Sequence, residues 1–337
     1  MEKLKVGIVG LGRLGHKHAE NIAFRIPNAE LKAVCSIVKK ELEEVQASWG
    51  IQYGYEDFGQ MLKNKELDAI AIASSSGEHC RQIEAALDAG FHVFSEKPLG
   101  ITVEQCLSAE KAVERHPDKT FMLGFMRRYD SAYMYAKQKI DSGAIGQPIF
   151  VRAYGLDPES AIQGAIRFAP NSGGIFLDMA IHDIDLTRWF LNSEPRNLWA
   201  TGGSYVHSEF ETFNDCDNAW VMMQFENNTM AFLYSGRTAF HGYHIETEIV
   251  GTRGTLRIGT VPQKNNVMLF NETGVIQECV SGFSERFEQA YLNEMQEFVN
   301  CIIERRRPAV MVYDGTKSTK IAFAATESYR QGKLICL

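Results

Sequence analysis

Two places in the 337-residue chain put proton-transferring side chains where their neighbours can control them. The first is VFSEKPLG, residues 93–100, in which Lys97 stands directly before Pro98. Proline pushes the residue before it into an extended backbone, so this lysine is aimed rather than left to wander. A solvated surface lysine is the competing reading, and it would need no such restraint. The second is NSGGIFLDMAIHDIDLTRWFL, residues 171–191. Ile175, Asp178, Ile181, His182 and Asp185 recur at three- and four-residue steps, which predicts a helix with Asp178 and His182 at i and i+4 on one face. A carboxylate beside an imidazole favours the protonated ring and fixes its orientation, as a proton-transfer group near neutral pH requires. A surface ion pair, a satisfied core histidine and a pair of metal ligands compete with that reading. No tight His/Cys/Glu cluster stands in the sequence to complete a metal site, so no metal is expected.

Groups of this kind need a scaffold and a redox partner, and the N-terminus supplies candidates for both. LKVGIVGLGRLGHKHAENIAFRIPNAELKAVC runs from an apolar strand through Gly10-x-Gly12-x-x-Gly15 into a helical pattern, then into a second apolar strand. That is one βαβ unit with its glycines at the strand-to-helix turn. Gly10 permits the turn, Gly12 lets a pyrophosphate approach, and Gly15 seats the helix on the strand. The free N–H groups of the helix start add a positive dipole end. DAIAIAS and HVFSE read as further strands, and GEHCRQIEAALDAG as a helix closed by Gly90. Thr102 with Gln105 forms a capping box before VEQCLSAEKAVERH, and TFMLGF reads as the last strand of this domain. Ligands of open α/β sheets bind beyond the carboxyl ends of the strands, which puts Glu96-Lys97-Pro98 on the cofactor side. The second strand ends at Cys35-Ser36, with Lys39 and Lys40 beyond and no carboxylate where NAD sites carry one. NAD is the leading expectation and NADP stays open, because the lysines could meet a 2′-phosphate.

From about residue 125 the pattern changes. IGQPIFVRAYGL, RNLWATGGSYV, NAWVMMQFEN, TMAFLYSGRT, IETEIVGTRGTLRIG and NVMLFNETG read as successive strands, several alternating polar and apolar residues. SERFEQAYLNEMQEFVNCIIERR and residues 314–331 read as helices that return toward the first domain. The expected fold is α/β: a doubly wound parallel Rossmann sheet over 1–124, then an α+β domain over 125–337 on a large, mostly antiparallel open sheet. Composition agrees with a globular chain, at 45% hydrophobic and 23% charged residues. A net charge of −7 carries no footprint for phosphate backbones, so nucleic acid is not an expected partner. The seven scattered cysteines include no CxxC pair, and no run approaches the roughly 20 apolar residues of a membrane span. KLKVGIVG enters a strand with no leader pattern, so reduced thiols in the cytoplasm are expected, away from membranes.

Five ordered motifs, GIVGLGRLGHKH, EKPLG, GFMRRYD, GGIFLDMAIHDID and GTRGTLRI, resemble the Gfo/Idh/MocA family of sugar-type oxidoreductases over essentially the whole chain. Within it, DCDNAWVMMQFENNTMAFLYSGRTAFHGYHIETEIVGTRG and SERFEQAYLNEMQEFVNCI resemble the inositol dehydrogenases. The resemblance implies a catalytic triad of Lys97, Asp178 and His182. His182 would take the alcohol proton, Asp178 would tune it, and Lys97 would hold the reacting oxygen while a hydride passes to nicotinamide C4. It implies dinucleotide contacts at Gly10, Gly12, Arg13, Leu14, Gly15, Ser36, Ser74, Ser75, Glu96 and Lys97. The polyol would meet Lys97, Arg127, Asp157, Asp178, His182 and Tyr243, and the exposed sheet face would pair subunits into a homotetramer. The bland readings are structural ion pairs for Arg127 and Asp157 and sheet packing for Tyr243. AYGLDPESAIQG lacks the basic or imidazole side chain that the family pattern places just before Asp157, which leaves the inositol isomer open. A pyranose dehydrogenase, a non-catalytic dinucleotide sensor and, more remotely, a metal-dependent hydrolase are the alternatives.

Overall fold

Short, almost wholly apolar strands such as Leu4–Val9 and Ala69–Ile72 can be satisfied only with both faces covered, the situation of a parallel sheet. In the computed structural model, which describes residues 3–259 and 263–337, they lie at the centre of one. The chain divides into two units, Met1–Tyr129 with Gln289–Thr319, and Asp130–Glu288 with Lys320–Leu337. This differs from a single cut at residue 124, because a late segment of the chain completes the first unit.

In the first unit, β1 (Leu4–Val9), β2 (Ala29–Cys35), β3 (Tyr53–Tyr55), β4 (Ala69–Ile72), β5 (His92–Glu96) and β6 (Phe121–Gly124) form one sheet in the order β3-β2-β1-β4-β5-β6. Every pairing is parallel. The crossovers are α1 (Arg13–Glu20), α2 (Lys39–Trp49), α3 (Phe58–Met61), α4 (His79–Asp88) and α5 (Val103–Arg115). Gly10 has φ +89°, and a Cβ there would stand 2.5 Å from the Ala73 carbonyl oxygen. A Cβ on Gly15 would stand 2.0 Å from Gly10 O, so α1 rests directly on the turn that begins it. At α5 the Thr102 hydroxyl accepts the Gln105 N–H at 3.2 Å, while the Gln105 side chain accepts the Ile101 N–H at 2.9 Å. The return bond of this capping box therefore falls one residue before the cap.

The second unit opens at Asp130, whose carboxylate accepts the Ala132 and Tyr133 N–H groups and starts α6 (Ser131–Asp141). After β7 (Pro148–Pro158), α7 (Ile162–Phe168) and α8 (Ile181–Leu191) come β8 (Pro195–Gly203), β9 (Asn218–Phe225), β10 (Met230–Ala239), β11 (His244–Gly251) and β12 (Thr255–Ile258). The run expected as one strand from 245 to 259 is thus two strands, closed by the Gly251 N–H donating to Gly254 O at 2.8 Å. The hairpin β13 (Gln263–Asn271) and β14 (Gly274–Cys279) forms a separate two-stranded sheet. Its two strands are almost wholly exposed, so the one-sided burial expected of NVMLFNETG does not apply there. The large sheet, order β12-β11-β7-β10-β9-β8-β15, ends on β15 (Ile335–Cys336) and is antiparallel except at β7–β10.

The large sheet buries one face and opens the other. Inward residues such as Val221, Met223, Leu233 and Thr247 are covered by helices. The Tyr133 hydroxyl lies 2.9 Å from Thr247 Oγ1, and its ring stacks on Phe190 of α8 at 6.3 Å. The outward face carries Trp199, Met222 and Met230, each about half exposed at 43%, 49% and 51%.

The segment expected as one helix from 284 to 306 divides at Phe287 into α9 (Phe283–Arg286) and α10 (Glu288–Ile303). Phe287 is fully buried there, and Arg286 reaches Asp130 at 2.8 Å. In the first unit Phe298 of α10 packs against Phe94 of β5 at 5.8 Å, a pair worth about 0.5–1.5 kcal/mol beyond its burial. The last helix, α11, spans Val312–Gln331, and the division between units falls within it.

Candidate active site

The glycine turn leaves β1 at the carboxyl edge of the parallel sheet. Gly12 caps α1 with no side-chain hydrogen bond, and a Cβ placed on it would meet nothing within 4 Å. Open space beside an uncapped helix start fits a pyrophosphate, with first-turn N–H groups as donors. Arg13 is exposed and Leu14 half-buried at that start. Ser74 and Ser75 follow β4 on the same edge, where the Ser74 hydroxyl donates to Gln82 Oε1 at 2.6 Å.

The ribose end explains the missing carboxylate. Ser36 is buried, accepts the Val38 N–H at 3.1 Å and donates its hydroxyl to Glu41 Oε2 at 3.0 Å. An acid is therefore held at the end of β2, supplied by the first turn of α2 rather than by the strand. Lys39 and Lys40 point outward beside Glu43 and Glu44 at 3.7 and 3.8 Å, largely exposed. The residues present fit a dinucleotide with a free 2′-hydroxyl.

Lys97 emerges half-buried from β5 at that same edge, with a cis peptide bond to Pro98. Its backbone N–H donates to Glu96 Oε2 at 3.1 Å. The other Glu96 oxygen lies 2.7 Å from His18 Nε2 of α1, so this carboxylate, expected among the cofactor contacts, points into the interior. Beyond His18, at 3.9 Å, stands Glu294 of α10, fully buried. Burial first, then the charge of Glu96, hold the Glu294 carboxyl well above the usual carboxylate range. On the other flank, His79 at the start of α4 places Nδ1 2.8 Å from Pro98 O and Nε2 3.1 Å from Ser74 O. Arg127, buried, sits in the short turn Met126–Tyr129 of this unit.

The second unit holds the remaining candidates. The helix expected across 175–191 changes pitch: Phe176–Ala180 is a wider π turn, and α8 proper begins at Ile181. Asp178 therefore lies on the wide turn and His182, 8% exposed, on the first α turn, with the i, i+4 step spanning the change. Asp178 Oδ2 accepts from Arg237 Nη2 at 3.3 Å. Arg237, on β10 and 1% exposed, also donates through Nη1 to Asp215 Oδ2 at 2.8 Å and Cys216 O at 3.2 Å. Burial opposes its charge, but Asp178, Asp215 and then Asp157 outweigh that and hold the guanidinium protonated. Asp215 is also the acceptor for the Ile175 N–H at 2.8 Å, so one carboxylate fixes both the start of the wide turn and the arginine that reaches Asp178. Asp157 stands half-buried near the end of β7. Tyr243, buried, precedes β11 with its ring edge-on to Phe287 at 6.3 Å.

Sequence reasoning missed Arg237, Asp215, Glu41, His18, His79 and Glu294. The signal for Arg237 is an arginine among the small residues of the strand stretch SGRTA. The signal for His18 is its place three residues after Gly15, on the face of α1 that turns to the sheet.

Residues 4–125 match the pattern described as oxidoreductase family, NAD-binding Rossmann fold, and residues 133–257 match the GFO/IDH/MocA C-terminal domain. The chain is 33% identical to scyllo-inositol 2-dehydrogenase (NAD(+)) of Bacillus subtilis, over 98% of this chain and 95% of that protein. It superposes with TM-score 0.96 and 44% identity on scyllo-inositol dehydrogenase from Lactobacillus casei with bound NAD(H) and scyllo-inositol, covering 99% of each chain. The myo-inositol 2-dehydrogenase from Lactobacillus plantarum gives TM-score 0.97 at 37% identity over the full length of both. With both of its domains matched in order and the dinucleotide turn in place, the chain belongs to the Gfo/Idh/MocA oxidoreductase family.

Proposed function

We propose that the chain oxidises a ring hydroxyl of an inositol to the inosose, with NAD as the hydride acceptor. The observation that carries this reading is that Lys97 leaves β5 at the same carboxyl edge of one sheet from which the glycine turn leaves β1. A cation and a dinucleotide cradle thereby share one side of the first unit. Bound NAD would supply the electrophilic nicotinamide carbon. Lys97 holds the reacting oxygen, where a positive charge stabilises the negative charge that develops as the proton leaves. His182 takes that proton, and Asp178, itself anchored by Arg237, orients the imidazole. Arg127, Asp157 and Tyr243 read the remaining hydroxyls, since a site built from fixed donors and acceptors rejects an epimer by leaving its own groups unpaired.

The half-exposed tryptophan and methionine face of the large sheet is the surface for further copies, giving a homotetramer. The seven cysteines are thiols, five of them buried, and burial pushes the Cys35 thiol up to about 12, as suits a cytoplasmic protein. Among the described residues no helix is long and apolar enough to cross a membrane.

The test is absorbance at the reduced-nicotinamide band with NAD or NADP against myo-, scyllo- and D-chiro-inositol, glucose and xylose. Reduction with an inositol and NAD is expected. Turnover of glucose or xylose alone would replace the substrate assignment. Lys97→Ala and His182→Ala should keep NAD binding and lose about 10²–10⁴ in kcat. Loss of NAD binding in both would overturn the separation of roles.

A further inference from the structure

The geometry points to His18 and His79 as positioning residues that clamp the backbone on both flanks of Lys97, an inference that rests on reading Lys97 as catalytic. Lys97 has one main-chain donor, and Glu96 Oε2 accepts it at 3.1 Å. Glu96 is itself fixed by His18 Nε2 at 2.7 Å. The peptide group after Lys97 has no N–H, because Pro98 supplies none. The next anchor is the Pro98 carbonyl, and His79 Nδ1 meets it at 2.8 Å. Cys80 Sγ, the following residue of α4, meets Leu99 O at 3.0 Å. Two helices thus reach the turn from separate sides of the sheet strand, each through a fully or almost fully buried imidazole.

Neither contact is a generic core filler. Around His18, Phe94 and Tyr291 stand edge-on at 5.2 and 5.7 Å, so the ring is held in an aromatic slot with Nε2 directed at Glu96. The 2.7 Å between His18 Nε2 and Glu96 Oε1 is a hydrogen-bond distance. Ligand atoms on a tetrahedral ion with bonds of about 2.0–2.1 Å stand about 3.3 Å apart. His79 faces a carbonyl oxygen at each nitrogen, yet a neutral ring has one N–H. Burial lowers its pKa, and the positive end of α4, which it opens, opposes a charged ring as well. The Pro98 carbonyl can only accept, so the clamp assigns the N–H to Nδ1, the nitrogen with the shorter contact. A displacement of about 1 Å in a catalytic group costs on the order of 100-fold in rate, so slack in this turn should appear in kcat.

The amide nitrogen of asparagine falls near imidazole Nδ1, and that of glutamine near Nε2. The clamp therefore predicts opposite rescue at the two positions. At position 79, H79N keeps the Pro98 bond and should stay within about threefold of wild-type kcat, while H79Q loses tenfold or more. At position 18 the order reverses: H18Q keeps the Glu96 contact and H18N loses tenfold or more. The Kd for NAD should move by less than about threefold in all four. Hydrogen exchange of the peptide spanning 93–100 should follow the same order, with H79Q and H18N exchanging faster, and this readout needs no substrate. Equal kcat and equal exchange within each pair, or losses that track melting temperature alone, would overturn the clamp. If one variant fails to fold, the pair at the other position decides. Wild-type silence on every polyol would overturn the catalytic reading of Lys97, and the exchange order would still decide the clamp.

Discussion

Arg237→Met removes a charge on which two carboxylates depend, and the structure fixes how much that should cost. The guanidinium is 1% exposed, lies over the Phe210 ring at 4.6 Å, and donates to Asp215, Cys216 O and Asp178. Methionine fills similar space, so packing loss is small and the change isolates the charge. Removing one partner of a buried ion pair costs about 3–5 kcal/mol, mostly because the other charge is left buried. Asp215, with its side chain 6% exposed, bears most of that, whereas Asp178 at 24% recovers part of its loss from water. For a unit of about 150–250 residues each kcal/mol moves Tm by roughly 2–4 °C, so the transition of the second unit should fall by about 6–20 °C. Differential scanning calorimetry measures this, and resolved transitions must be assigned because two units need not melt together. Adding Asp215→Asn to Arg237→Met should recover part of the loss, since it removes the orphaned charge. NAD binding should persist while kcat falls, because Asp178 loses its anchor. A single variant within about 1 kcal/mol of wild type, or a double variant worse than the sum of the singles, would refute the reasoning.

Three further outcomes are expected. Glu294 keeps its proton in the folded chain where the unfolded chain, with an ordinary carboxyl near 4.3, has released it, so stability falls as pH rises above that value. Glu294→Gln should therefore raise Tm more at pH 8 than at pH 5, and a pH-independent difference would count against a protonated Glu294. Glu41→Gln removes the carboxylate held by Ser36 and should cut the preference for NAD over NADP about tenfold or more in kcat/KM, because a 2′-phosphate no longer meets a like charge; an unchanged ratio would place the 2′-site elsewhere. Trp199→Glu puts a charge on the open face beside Trp220, 4.9 Å away, and should lower the mass in light scattering below that of the wild type if the proposed homotetramer forms through this face; an assembly of unchanged mass would move the proposed interface elsewhere.

The parallel sheet of the first unit was legible in the sequence because its signals are local, whereas the late segment 289–319 that completes the unit was not. A strand, a glycine turn and a helix occupy one continuous stretch, and Gly10 and Gly15 act on atoms that the turn itself brings near. The strand run from 148 to 258 was legible through its period of two, though a tight turn at 251–254 cannot be told by periodicity from a continuous strand. The hairpin β13–β14 shows the converse: alternating residues predict a half-buried strand, and the strand forms with both faces open. Pairing with β14 satisfies its backbone without any core, and no pattern within β13 reveals that.

The candidate site divides along the same line. Lys97, Asp178 and His182 could be singled out because proline, helical spacing and residue type are written next to them. What holds them is written elsewhere. His18 meets Glu96 across 78 positions, and Arg237 meets Asp178 across 59. A buried histidine or arginine looks, in sequence, like any surface one, since burial is a property of the fold and not of the residue. The absent carboxylate at Ser36 teaches the same point in miniature: the acid was five positions away, on the next helix, and only the hydroxyl of Ser36 donating to it made the two a unit. Motif spacing finds groups whose role depends on type, whereas groups whose role is to hold another in place are found only by asking what each buried donor and acceptor touches.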